Sequence, residues 1–202
     1  MPGRRTVISS AGALMTGAWL MSGLATSSHT RHSLTLEVYD DGKVDYKVVI
    51  TGTDGKKESD TEDGDSVNVD YDHNLTFIRG TVENDKDVYS FPADEHITYI
   101  RLDAKTYTRD MKLRTDAGSD NVNDWNLIEV QGYDDSIYYT IEPTDDIRKY
   151  SKTEWDDNID NGRVRGRVED GGEDQYEMDG NFAYVDAHLE HGALIIDWTK
   201  KD

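Results

Sequence analysis

The chain has 202 residues, with 42 Asp and Glu against 22 Lys and Arg, a formal net charge of −20 and no Cys. That length holds one or two small domains, and the lack of Cys excludes disulfides, thiolate metal sites and a Cys-anchored lipid. So acidic a composition offers no basic face to neutralise phosphates, so nucleic acid is not an expected partner.

A surface of this charge repels itself at low ionic strength. In molar salt the Debye length contracts to roughly 3 Å, and the carboxylates then serve mainly to keep the protein hydrated. The 12 Tyr, 4 Trp and recurring Val/Ile alternation supply core material that a disordered acidic chain lacks. The composition reads as a folded, halophilic protein.

Met1-Pro2-Gly3-Arg4-Arg5 is a short basic segment, followed from Thr6 to Leu24 by an apolar run diluted with Gly, Ser, Ala and Thr. Together with the small residues of Gly23-Leu24-Ala25, this resembles a twin-arginine export signal, with Arg4 and Arg5 as the pair and Ala25 as the cleavage position. The resemblance implies export through that machinery to the medium or the cell surface. Val7–Leu24 spans 18 residues, enough for membrane attachment if the signal helix is kept. Residues 1–25 are thus assigned to the signal and 26–33 to a Ser/Thr/His linker.

From residue 34 onward the periodicity is that of strands. Leu34, Leu36 and Val38 alternate with polar residues, Asp40-Asp41-Gly42 turns the chain, and Val44, Tyr46, Val48 and Ile50 alternate again. An acidic loop follows from Asp54 to Asp65, then a short strand with Val67, Val69 and Tyr71. Residues 78–91 form a hairpin pattern, and Ile97, Tyr99, Met111 and Leu113 close a first β unit over 34–116. A Gly/Ser/Asn/Asp linker spans 117–125, and the second unit, 126–202, replays the first. Ile128 and Val130 stand for Leu36 and Val38, Tyr139 for Tyr46, and Phe182 and Tyr184 for Ile97 and Tyr99. No stretch of residues 26–202 has sustained helical periodicity. The expected fold is all-β: two tandem small antiparallel β-sandwich units, or partly closed barrels, after an N-terminal signal helix.

The plainest sign of duplication is the hairpin. Arg79-Gly80-Thr81-Val82-Glu83 recurs as Arg165-Gly166-Arg167-Val168-Glu169, and Asp87-Val88-Tyr89-Ser90-Phe91 as Asp174-Gln175-Tyr176-Glu177-Met178. Gly in mid-strand costs about 0.5–1 kcal/mol relative to Ala. Gly80 and Gly166 are therefore expected at a bulge or a close backbone approach. Tyr89 and Tyr176 are expected in the core, with Asp87 and Asp174 accepting turn hydrogen bonds at the start of their strands. This hairpin, behind a twin-arginine signal in an acidic chain, resembles a recurring β-sandwich module of exported haloarchaeal proteins. That module has no assigned activity and carries over no catalytic residues.

No catalytic, cofactor or metal residues are assigned. His188-Leu189-Glu190-His191 lacks the spacing of a zinc pair on a strand, where residues three apart point to opposite faces. The runs Asp54–Asp65 and Asp156–Gly162 do not keep the spacing of an EF-hand loop and read as solvated acidic loops. His29 and His32 read as linker, and His73 and His96 flank strands without sequence partners. Glu37 and Glu129 stand at equivalent places in the two units and read as structural. Trp125, Trp155 and Trp198 suit either sugar stacking or the core. Asn74-Leu75-Thr76 is a glycosylation sequon in an apparent turn. The expected function is a non-catalytic secreted or cell-surface module that binds an unidentified surface or glycan ligand, or acts structurally. The alternatives are a small secreted carboxylate-dependent polysaccharide hydrolase and a Ca-stabilised adhesion unit.

Overall fold

A computed structural model describes residues 30–39, 42–59, 61, 63–105, 108–117, 125–133, 136–153, 157–189 and 192–199. The signal positions Arg4, Arg5 and Ala25 lie outside the described residues, as do Trp155 and His191. The described residues form sixteen strands. The first unit supplies β1 (Arg31–Val38), β2 (Lys43–Thr51), β3 (Lys56–Lys57), β4 (Ser66–Asp70), β5 (Leu75–Glu83), β6 (Lys86–Pro92), β7 (Ile97–Ala104) and β8 (Thr108–Thr115). The second supplies β9 (Asn126–Tyr133), β10 (Ile137–Pro143), β11 (Ile147–Lys149), β12 (Asn158–Asp160), β13 (Arg163–Val168), β14 (Glu173–Met178), β15 (Phe182–Leu189) and β16 (Gly192–Thr199).

The strands form two eight-stranded antiparallel sheets packed face to face, ordered β12-β13-β10-β15-β8-β1-β6-β3 and β11-β14-β9-β16-β7-β2-β5-β4. The sandwich form of the expectation holds, and the partly closed barrel does not. Read backwards with the units exchanged, the order of one sheet is the order of the other. Each unit is thus a sandwich of four strands on four, and the units join edge to edge, β15 on β8 in one sheet and β16 on β7 in the other. Across those seams Val185 pairs with Leu113 and Ala187 with Met111, while Ile196 pairs with Ile100 and Leu194 with Leu102. All eight are buried, so one core runs through both units. Asn181 seals the seam further, its Oδ1 accepting from the Ile97 amide at 3.3 Å and its Nδ2 lying 2.8 Å from His96 Nδ1.

The alternation seen in the sequence is the alternation of burial. Leu34, Leu36 and Val38 point inward from β1, and Val44, Tyr46, Val48 and Ile50 from β2. Each buried side chain of this size stabilises the fold by about 1.5–3 kcal/mol.

Three expectations are corrected. First, β1 begins at Arg31, inside the supposed linker, because Arg31 pairs with Pro92 and its guanidinium donates to Ser90 Oγ, the Ser90 carbonyl and Asp54. His32 stacks edge-on against Phe91 at 5.7 Å. Second, Ile128 and Val130 correspond to Leu34 and Leu36, two residues from the expected match: Leu34 and Ile128 pair with the equivalent Tyr89 and Tyr176. A shift of two keeps the same face inward, so periodicity alone cannot detect it. Third, His73 and His96 do have partners, Asp70 at 2.9 Å and Asn181.

Candidate functional site

The duplicated residues converge on two buried networks, one in each unit. In the first, Tyr46 Oη lies 2.6 Å from Tyr89 Oη, 2.9 Å from Asp87 Oδ2 and 3.0 Å from Asp65 Oδ2; Tyr89 Oη lies 3.1 Å from Asp65 Oδ2. In the second, Tyr139 Oη lies 2.7 Å from both Tyr176 Oη and Asp174 Oδ2, and Tyr176 Oη lies 2.7 Å from Asp157 Oδ2. The other oxygens of Asp65 and Asp157 accept from the amides of Thr81 and Arg167, which follow the two glycines.

The glycines belong to these networks. A Cβ on Gly80 would lie 2.3 Å from Tyr46 Oη and 2.2 Å from Asp65 Oδ1. On Gly166 it would lie 2.4 Å from Tyr139 Oη and 2.8 Å from Asp157 Oδ1. The expected bulge or backbone approach is therefore corrected: side-chain oxygens need the space. Asp87 and Asp174 are corrected too, since they are buried and directed at tyrosine hydroxyls. Tyr89 and Tyr176 lie in the core as expected. Asp157 and Asp65, read from the sequence as parts of solvated loops, turn inward as the fourth members. Nothing local marked them, because a carboxylate aimed at the core looks like its neighbours in an acidic run.

Each network also sets a proton count. The path Asp174, Tyr139, Tyr176, Asp157 has three oxygen–oxygen contacts of hydrogen-bond length, and two phenols supply only two protons. Burial first, with the neighbouring phenol and carboxylates adding to it, pushes the Tyr139 ionisation well above its usual range, so its proton stays. Burial does the same for Tyr176.

The other expected acids do not assemble into a site. Glu37 on β1 and Glu129 on β9 face outward from opposite sheets, and they are not equivalent positions. Among the described residues no group of three or more His, Asp or Glu is placed to hold a metal ion. His188 packs edge-on against Tyr138 at 6.4 Å. Trp198 packs against Phe182 and His96, and Arg148 lies 4.1 Å over the Trp125 ring. Asn74 is exposed in a turn at a φ of 55°, as its sequon suggested.

Composition had left no basic face, and here the structure adds one. On the outer surface of β13, β10, β15 and β8, the register aligns Arg163, Glu142, Tyr184 and Arg114 in one row and Arg165, Thr140, Asp186 and Lys112 in the next. Arg167 and Tyr138 continue the pattern. Arg163 pairs with Glu142 and stands 6.0 Å from the Tyr184 ring centre, with Arg114 at 5.6 Å. Arg114, Thr115, Glu142, Arg163, Ala183 and Tyr184 enclose an open depression of about 390 Å³. Burial, with Asp186 beside it, pushes the Tyr184 phenol up to about 12. The sequence signal was present in Arg163-Val164-Arg165-Gly166-Arg167, where alternate arginines share one strand face.

Compared with models of known protein families, with curated proteins and with solved structures, the chain gives no significant match.

Proposed function

We propose that the chain is a non-catalytic β-sandwich module of a halophilic archaeon, exported by the twin-arginine route and acting in binding at the cell surface or in the medium. The carrying observation is the fate of its duplicated polar residues. They are enclosed in the two Tyr/Asp networks and serve the fold, while the surface chemistry lies on a broad sheet face. A polysaccharide hydrolase needs two carboxylates flanking one bond, about 5–10 Å apart. The depression beside Tyr184 presents one lining carboxylate, Glu142, and that one pairs with Arg163.

The proposal is tested by expressing the tagged full chain in a haloarchaeal host and fractionating the culture. The wild type is expected in the medium or on the cell surface, and the Arg4→Lys/Arg5→Lys variant inside the cell. Equal distribution of the two would overturn the export route.

A further inference from the structure

We infer that the arginine-rich outer face of β13, β10, β15 and β8 binds an acidic polysaccharide. This deepens the module reading and rests on it.

Charge is the first ground. The whole chain has 42 acidic and 22 basic residues, yet these four strands gather Arg114, Arg163, Arg165, Arg167 and Lys112 around Glu142 and Asp186, with Asp160 opposite Arg163 and Glu37 opposite Lys112 at the two margins. Most cations sit against acids, on this face Arg163 with Glu142 and Arg167 with Glu169, and elsewhere Lys43 with Glu83, Lys105 with Asp45 and Asp103, and Lys152 with Glu173. Among the described residues Arg165 has no ion-pair partner, and Arg114 has only its stacking contact with Tyr184. Two exposed guanidiniums left open in so acidic a protein form a surface complementary to an anion, and their planar forks suit carboxylate or sulfate.

Shape and the interleaved acceptors give the class. Alternate residues of β13 lie about 6.8 Å apart, and Arg163 and Arg114 are separated by three strand spacings, about 14 Å. The face therefore matches an extended chain with repeated charges. Among the cations Glu142 pairs with Arg163 and Asp186 accepts from the Tyr184 hydroxyl at 3.1 Å; a carboxylate has about four acceptor sites, so acceptor capacity beyond the Glu142 pairing calls for donors on the ligand. Sugar hydroxyls provide them. A DNA backbone has anions without hydroxyl donors and would be repelled by the same two carboxylates.

The test is affinity electrophoresis of the full chain, in the lowest salt at which circular dichroism retains the native β signal. The gels contain polygalacturonate, dextran sulfate or unmodified dextran, with a single-stranded DNA oligonucleotide in a parallel titration. Retardation by either acidic polymer is expected, with none by unmodified dextran. The Arg114→Glu/Arg165→Glu variant, altered only at exposed positions, should keep the native spectrum and lose at least tenfold in affinity. Arg114→Lys/Arg165→Lys should lose less, about threefold. Absence of retardation by both acidic polymers, equal affinity of the Glu variant, or tighter binding of DNA than of either polymer would overturn the assignment. A negative result with export intact removes the ligand class and leaves the module reading standing.

Discussion

At the residue scale, the Tyr/Asp networks explain why a carboxylate is tolerated in a core that is otherwise apolar. A buried acid without compensation is costly, whereas one that accepts from a phenol is a satisfied hydrogen-bonding group. Asp174→Ala, which takes the acceptor from the buried Tyr139 hydroxyl, is therefore expected to cost about 1–3 kcal/mol of unfolding free energy. Asp157→Ala does the same to the Tyr176 hydroxyl and should cost about as much, as should Tyr139→Phe, which breaks the path. Denaturant titration checks all three; unchanged stability for all of them would show that the network contributes nothing to the fold. Gly166→Ala sets a Cβ against Tyr139 Oη and should cost about 1–3 kcal/mol by overpacking.

The phenols give a pH dependence whose sign follows from their burial. Unfolded tyrosine ionises near pH 10, while Tyr46, Tyr89, Tyr139 and Tyr176 are all held above that range, chiefly by desolvation. Above about pH 10 the unfolded chain has therefore lost protons that the folded chain keeps, and stability falls as pH rises. Melting temperature should be unaffected by these groups below that point and decline above it. Phenolate absorbance should appear together with the loss of β structure. Ionisation of all 12 tyrosines in the folded state near pH 10 would contradict the burial.

At the scale of elements, the short outer strands β3, β4, β11 and β12 close the ends of both sheets, while the long strands β7, β8, β15 and β16 form the seams. Long, apolar, unpaired edges invite pairing with another chain. A fragment of residues 30–117 would expose β7 and β8, and the near-symmetry of the sheets offers it the same pairing with a second copy of itself. Sedimentation should find this fragment as a dimer, with β7 of one copy on β8 of the other. A stable monomer would mean that the seams contribute little. Glu95 is a local weak point: burial raises its ionisation, and its Oε2 has no hydrogen-bond partner. Glu95→Gln removes that charge and should be neutral or stabilising at neutral pH.

For the whole molecule, the net charge of −20 is carried on a sandwich whose core spans both units. Screening of the acidic surface should govern stability as one cooperative event, since the two units share one continuous core. Circular dichroism should lose the β signal in a single transition on dialysis from molar KCl to low salt. An unchanged spectrum would refute the salt dependence, and two separate transitions would refute the shared core.

The strand periods, the duplication, the all-β sandwich and the buried places of Tyr89 and Tyr176 were legible from residue order, because burial in a sheet alternates with period two. Gly80 and Gly166 were legible as constrained positions, though not the reason. The joining of the units through β7, β8, β15 and β16 could not be read, since it depends on which edges meet across about seventy residues or more. The same is true of Asp65 and Asp157, whose inward turn is defined only once Tyr46, Tyr89, Tyr139 and Tyr176 stand beside them, and of the strip from Arg163 to Arg114. Local order determines which side of a strand a residue takes; only the packed sheets decide which residues from distant strands share that side.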